Sequence, residues 1–417
     1  MTRGTGVATY GRVLAASLSA LGHPVDGVFG MPVSTKASEL MREVVFFDTF
    51  GQERERRRPS PLTQRWWREL LTTPFGLSAM PIPVTGKVEV RNFRGRLPEF
   101  DRLLNVPDLF SVATRYFRRT GRFLSITLPD PPAIMHWTYP LPIHVLGARN
   151  VYTIHDMVPL RLPYATLDDK GYHIRLVRGC LRHAARICTV SEASKQDIVA
   201  LFPGAAGRVV NTYQAVVPSA EALEQSDDDL RRLLAGVFDL SLREYFLYFG
   251  ALEPKKNITR LLDAYLSSEC RVPLVLVGGR SWKNEREAQV IAAHSSIRQL
   301  DYLPFGQLIR LIRGAKAIMF PSLSEGFGLP VIEAMALGTP VLTSREGSLP
   351  EIAGNAALFV DAYDSDDIAA GMRRLDNDAD LRAHLSTSGV EQAKRFSIAA
   401  YQQRLLTFYD EILSEKA

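Results

Sequence analysis

PSLSEGFGLPVIEAMALGTPVLTSREGSLP, residues Pro321–Pro350, is the stretch whose reading decides the fold. The four residues before it, Ala317-Ile318-Met319-Phe320, are apolar and end at a proline. That is the pattern of a strand buried on both faces, entering a loop at its C-terminal end. The loop carries Glu325, Gly326, Phe327 and Gly328. Pro330 suits the first turn of a helix, where its missing N–H would have had no partner. The helix runs through Glu333 and stops at Gly338-Thr339-Pro340, and Val341-Leu342-Thr343 begins the next strand. Strand, glycine loop, helix, strand is one unit of a parallel sheet, in which ligands lie beyond the strand ends.

The two glycines let backbone N–H groups approach a ligand, and the positive end of the helix favours an anion such as a diphosphate. Glu333 lies eight residues after Glu325, one turn into the helix, so a loop carboxylate and a helix carboxylate can face one crevice. Such a carboxylate suits accepting two hydroxyl hydrogens, as from a ribose or sugar diol. Taken singly, Glu333 could equally complement the helix dipole and Glu325 be a surface acid. Together with the glycine-proline run the pattern is far more specific.

That pattern resembles the retaining glycosyltransferases of family 4, whose mark is two glutamates separated by seven residues, met here by Glu325 and Glu333. The resemblance is strong over residues 240–360, good over 145–215 and loose over 30–130. It implies an α/β GT-B fold: two Rossmann-like parallel-sheet domains facing across a cleft, with a C-terminal helix crossing back. The expected division is an acceptor-binding domain over 1–215, joined by the helix at 398–417, and a nucleotide-sugar domain over 216–397. The resemblance also implies that Glu325 contacts the donor sugar and Glu333 the nucleotide ribose. It puts Lys256 on the diphosphate, His155 near the donor sugar and the Gly6 loop against the cleft.

A chain of 417 residues, 46% hydrophobic, has ample core for two or three domains. No apolar run approaches the eighteen residues of a membrane span. Cys180, Cys188 and Cys270 are an odd, sparse set without metal-ligand spacing, which suits a reduced, cytosolic protein. The net charge of +5 divides unevenly: residues 1–215 hold 28 Lys+Arg and 17 Asp+Glu, or +11, and residues 216–417 hold 22 and 28, or −6. A basic half implies an anionic neighbour. With no nucleic-acid motif beside the charge, an anionic membrane surface or a phosphate-linked acceptor fits better than nucleic acid.

Gly4-Thr5-Gly6 opens the chain and leads into a helix through Val7, Tyr10, Leu14 and Leu18; Gly11-Arg12 interrupts what would otherwise resemble a signal peptide. Only Met1-Thr2-Arg3 precede the glycine loop, so the expectation is at most a stub of the strand that should come before it. Arg54, Arg56, Arg57 and Arg58 precede a segment with Trp66 and Trp67 on one helical face. That reads either as a membrane-interface helix or as a helix on its own domain with a solvated arginine run. Pro132–Trp137 and Asn150–Asp156 read as strands, the second delivering His155 and Asp156 to its tip. Ile187–Val190 and Ser191–Ser194 repeat strand then helix cap. Residues 216–240, with Asp227-Asp228-Asp229, read as the crossing between domains. Tyr245–Gly250 then begins the second domain. Lys255 and Lys256 just before a helix at Ile258 are unfavourable unless an anion is present, which points to phosphate. The family often has an arginine where this chain has Ala251. Leu274–Gly279 is a further strand ending in glycines, with Arg280 and Trp282 beyond it. Asp364/Asp366 and Asp376/Asp378 lie in polar helical segments and read as solvated faces, not a metal site.

The expected function is transfer of a hexose from a nucleotide-diphosphate sugar to a saccharide or lipid-linked acceptor of a surface polysaccharide. By the resemblance it is retaining, with a phosphate oxygen as base and no metal. Lys256 and the amides of Gly326, Phe327, Gly328 and Leu329 would stabilise the leaving phosphate. Gly250, at the end of the first strand of that domain, joins the donor site. Gly250-Ala-Leu-Glu-Pro-Lys-Lys-Asn257 resembles the mannosyltransferase branch, which makes GDP-mannose the first expectation and a UDP-sugar the second. No cofactor beyond the donor is expected, and the protein would sit peripherally on the inner face of the membrane. Two rivals remain at this point. A nucleotide-dependent dehydrogenase would want a strand and a third glycine around Gly4-x-Gly6. A non-catalytic sugar-nucleotide-binding scaffold would be favoured by Ala251.

Overall fold

In the computed structural model, which describes residues 6–51, 73–90, 97–217, 223–279 and 285–415, the chain opens on a helix, Gly6–Ala20. Ten short strands follow in the first half: β1 (Asp26–Phe29), β2 (Leu77–Ser78), β3 (Met80–Ile82), β4 (Arg102–Asn105), β5 (Leu124–Thr127), β6 (Ile134–Trp137), β7 (Ile143–Val145), β8 (Arg149–Thr153), β9 (Arg186–Thr189) and β10 (Val209–Asn211). They form three small sheets, ordered β1-β4-β3, β2-β5-β7 and β10-β9-β8-β6. Every pairing is parallel except β3 with β4. The expected parallel-sheet architecture holds, with that one antiparallel pair as a local departure. β3 carries Pro81, which lacks a ladder donor and is tolerated because β3 is an edge strand.

The second half is one six-stranded parallel sheet: β11 (Phe246–Phe249), β12 (Leu274–Val277), β13 (Ile297–Leu300), β14 (Ala317–Phe320), β15 (Val341–Ser344) and β16 (Leu358–Val360). Its order is β13-β12-β11-β14-β15-β16. Phe246–Phe249, Leu274–Val277, Ala317–Phe320 and Val341–Ser344 are buried at every residue; the first three are unbroken apolar runs covered on both faces, and in the fourth the Thr343 and Ser344 hydroxyls are paired to Phe320 O and Ser322 O. The winding reverses between β11 and β14, and the crevice beyond their C-terminal ends is where such sheets take ligands.

The acidic run of the crossing segment opens a helix, Asp227–Leu233. Ser226 caps it by accepting from the Asp229 amide, and Asp227 pairs with Arg313 and Arg243 at 3.1 and 3.0 Å. Of the two aspartate pairs read as solvated, Asp364, Asp366 and Asp378 are exposed and only Asp376 departs. Asp364 and Asp378 are helix N-caps, and Asp376 is no solvated acid but pairs with Lys316 at 2.9 Å, both mostly buried. The last helix, Ile398–Ser414, crosses back and lays Phe408, Tyr409 and Ile412 on Val151 and Cys188 of the first half. The expected stub at residues 1–3, the Arg54–Arg58 cluster, Trp66, Trp67, Arg280 and Trp282 lie outside the described residues.

Candidate active site

Two loops meet at the point where the winding reverses. After β11, Gly250 leads to a single turn, Pro254–Lys256, and then Asn257, held in the left-handed region at φ 62°. Asparagine is among the few residues that enter this region readily. Its side-chain amide donates to Pro321 O at 3.0 Å and Ala362 O at 2.6 Å, tying the loop after β11 to the loops after β14 and β16. Leu323 N donates to Lys255 O at 2.8 Å as a second tie. So fixed, Lys256 Nζ reaches Glu325 Oε1 at 2.6 Å and lies 5.0 Å from the centre of the Phe320 ring. The two side chains are only 13% and 8% exposed, so this is a buried ion pair, and the ammonium expected to face a diphosphate is already half engaged.

Past Glu325 the chain turns through Gly326, Phe327 and Gly328 into the helix Leu329–Ala336, with Pro330 in its first turn. Gly328 stands at φ 95°, where a side chain would be strained. Among the described residues nothing accepts from the backbone N–H groups of Gly326, Phe327, Gly328 or Leu329. That leaves a row of amides at a helix N-terminus, disposed for an anion. The Phe327 ring is turned into the core, edge-on to Phe396 at 5.5 Å, so Phe327 can offer a ligand only its backbone. Gly326 touches the other half of the molecule: a Cβ there would stand 2.4 Å from His155 O. Gly6, across the cleft, would place a Cβ 3.6 Å from Leu329 Cδ1. The two halves thus meet on either side of the loop, at Gly326 against His155 and at Gly6 against Leu329.

Glu333 is half-buried on that helix, and no donor among the described residues reaches its carboxyl. Burial pushes its pKa up from 4.5 to about 7. Folding therefore favours the protonated acid, and that stabilisation is lost as the pH rises through about 7. Glu333→Gln should match wild type near pH 4.5 and gain about 2 kcal/mol over it by about pH 8. Denaturant unfolding at the two pH values checks this. A difference that does not vary with pH would mean an ordinary carboxylate.

On the facing half, β8 delivers His155 and Asp156 just past its tip. His155 Nε2 lies 2.8 Å from Thr138 O, and because a carbonyl only accepts, Nε2 carries the hydrogen. Burial lowers the His155 pKa, leaving a neutral ring whose Nδ1 can accept from a hydroxyl. The Tyr10 ring meets His155 edge-on at 4.9 Å. Tyr10 is itself anchored by a buried chain of hydrogen bonds: Tyr10 Oη to Thr153 Oγ1 at 3.0 Å, Thr153 Oγ1 to His136 Nε2 at 2.7 Å, and His136 Nδ1 to Tyr409 Oη at 2.5 Å. Burial drops His136 to about 3, so it stays neutral and gives one nitrogen to each neighbour.

Two residues whose roles sequence reasoning missed, one from each half, hold the halves together. Ser191 is the cap of the helix Glu192–Leu201, as the cap pattern suggested, but Ser194 Oγ lies 2.8 Å from His155 O and 3.2 Å from Gly326 O. Glu351 accepts from the amides of Glu192 and Ala193 at 3.1 and 3.3 Å, capping a helix of the other half. Gly347, at φ 59°, lets Glu325 lie against it. A carboxylate in the first turn of its own helix gave no sign that it would reach across a cleft.

The structure therefore brings Gly6, His155, Lys256, Glu325, Gly326 and Leu329 to one crevice, with Gly250, Gly328 and Glu333 on the elements that frame it. Such a site can hold a diphosphate on amides and an ammonium, and hydroxyls on carboxylates. Among the described residues no group of three or more His, Cys, Asp or Glu side chains converges as a metal site. Residues 241–392 match the family described as "Glycosyl transferases group 1". The O-antigen chain mannosyltransferase B of Escherichia coli is 36% identical over 257 residues, 60% of this chain and 67% of that protein. The serotype-specific mannosyltransferase WbdA of Escherichia coli is 29% identical over 274 residues, 63% of this chain and 33% of that much longer protein. The solved sucrose-phosphate synthase of Thermosynechococcus elongatus superposes with a TM-score of 0.63 at 18% identity, over 99% of this chain and 94% of that one, a likeness of fold alone.

Proposed function

The chain belongs to the group 1 glycosyl transferases, with their GT-B fold, and from that premise we propose that it moves a hexose, mannose first, from a nucleotide-diphosphate sugar to a saccharide or lipid-linked saccharide of a surface polysaccharide. The observation that carries the reading is the row of amides from Gly326 to Leu329, unengaged among the described residues, beside the Lys256–Glu325 pair at the end of β14. As the nucleotide leaves, negative charge grows on the diphosphate. Fixed N–H groups and Lys256 stabilise it there without reorganising. Glu333 faces the ribose, and the Glu325 carboxylate, aligned by Lys256, accepts from donor-sugar hydroxyls. His155, neutral and held by Thr138, meets the sugar from the other half. We read the transfer as retaining and metal-independent, with the acceptor hydroxyl arriving on the face the nucleotide vacates and a phosphate oxygen taking its proton. Mannose rests on the likeness to the two Escherichia coli mannosyltransferases; GDP as its carrier rests on the resemblance of Gly250–Asn257 to the mannosyltransferase branch, and a UDP-sugar is the second donor.

Screening GDP- and UDP-sugars for thermal stabilisation, then following donor hydrolysis, tests this. GDP-mannose should raise Tm most and be hydrolysed with retained configuration in the presence of a chelator. Stabilisation without any turnover would support a binding scaffold instead. No helix among the described residues is long and apolar enough to cross a membrane. The +11 of the first half supports our reading of peripheral attachment to an anionic, cytoplasmic membrane face. Co-sedimentation with anionic vesicles should fall as salt is added, and equal recovery on neutral vesicles would sink it.

A further inference from the structure

Beside the donor loop lies a cavity of about 380 Å³ walled by both halves: Asp156, Thr166 and Asp168 from the first, Glu253 and Lys255 from the second. It is contiguous with the site, because Asp156 follows His155 and Lys255 precedes Lys256. Its size falls within the roughly 300–1,000 Å³ of small-molecule sites. The sign of its charge is the unexpected part. With two carboxylates from the half of the chain that carries +11 and one from the other half, this wall sets three carboxylates against a single ammonium. Lys255 Nζ stands 4.0 Å from Glu253. Burial would lower its pKa, but Asp156, Glu325 and Glu253 outweigh that, so it stays charged.

Two polar atoms here are buried without a partner among the described residues: Oγ1 of Thr166, which lines the cavity, and Nε2 of His173, which lies within the fields of Asp156 and Asp168. Buried polar atoms are costly to leave unpaired, and at a cavity wall an incoming ligand satisfies them. Val158, Pro159 and Ala165 supply an apolar patch on the same wall. Carboxylates that accept, an ammonium that donates and an apolar patch together match the hydroxyls and C–H face of a sugar ring. A phosphate would meet net negative charge, doubled when the donor diphosphate is bound.

We propose that this cavity seats the uncharged, hydroxyl-bearing terminal ring of the acceptor and rejects an acceptor whose reacting end carries phosphate. The proposal rests on the transferase reading above. Any phosphate in the acceptor then lies further out, over the basic surface of the first half, and not at the reacting sugar.

Nucleotide-loaded protein titrated with a panel of methyl hexosides and with the matching hexose 6-phosphates, followed by ligand-observed NMR, tests it. At least one neutral hexoside should bind about 10-fold or more tightly than its phosphate. Asp168→Asn and Glu253→Gln should each weaken that hexoside about 5- to 10-fold. Asp168→Lys should narrow or invert the preference, a gain that misfolding cannot mimic. Equal binding of neutral and phosphorylated sugars, no binding of either, or indifference to all three substitutions would overturn the proposal. Nucleotide affinity, measured in the same samples, keeps the two readings apart. Its absence in wild type counts against the transferase reading, whereas normal nucleotide binding with indifferent sugar binding counts against the cavity alone.

Discussion

Lys256→Ala lowers GDP or UDP affinity by about 10- to 100-fold and also costs the free protein about 3–5 kcal/mol of stability. The first effect follows from removing a charged hydrogen bond to the diphosphate, worth roughly 1.5–3 kcal/mol. The second follows from the partner left behind: Glu325, 8% exposed, keeps its charge and loses the ammonium 2.6 Å away. The two effects separate in the double variant Lys256→Met/Glu325→Gln, which recovers stability by leaving no buried charge but does not recover affinity. Glu333→Ala loses affinity over the same range with no such loss of stability, since its carboxyl has no cation to strand. Calorimetric titration with the nucleotide beside denaturant unfolding reads both quantities. Unchanged affinity in both single variants, in folded protein, rules the site out.

Gly326→Ala acts on geometry and not on charge. Its methyl would stand 2.4 Å from His155 O and 3.0 Å from Asp156 Cβ, and both belong to the other half of the molecule. Neither neighbour can yield cheaply. His155 O already accepts from Ser194, and the helix bearing Ser194 is held by Glu351 from the opposite side. The halves must therefore part by the better part of an ångström, or the loop must tilt away from the donor. Misplacement of about 1 Å can cost about 100-fold in rate. The expected result is a loss of about 100-fold or more in kcat with nucleotide affinity reduced far less, because the amides and Lys256 stay in their own half. Single-turnover kinetics beside nucleotide titration measures the split. Wild-type kcat in this variant would mean that the halves do not meet at Gly326 during turnover.

Much of the second half could be read from its sequence because three signals agree there. Phe246–Phe249, Leu274–Val277 and Ala317–Phe320 are apolar throughout, each ends at a glycine or proline, and a helix start follows. A central parallel strand can be little else. The first half hides its strands. β4 begins with Arg102, which pairs with Asp26 on β1 at 2.7 Å, so a charge stands where an apolar residue would signal a strand. β2 and β7 have two and three residues, too few for any periodicity. Candidate site residues on the donor loop were legible because glycine, proline and glutamate each answer a local requirement. Ser194 and Glu351 were not, because their partners are 39 and 159 residues away and nothing local distinguishes them from an ordinary helix residue. Asp376 misled for the same reason: its lysine is 60 residues upstream.

The helix Ile398–Ser414 has a consequence for the making of the protein. Phe408, Tyr409 and Ile412 complete the apolar cluster around Val151 and Cys188, and Tyr409 completes the chain of hydrogen bonds that ends at Tyr10. On a ribosome emitting about 5–20 residues per second, the first ten strands emerge roughly 10–40 s before the segment that covers them. During that interval the nascent first half carries an open apolar seam and an unanchored Tyr10. Its last strands therefore offer a surface to a chaperone until that helix arrives, and the half translated first is the last to become native.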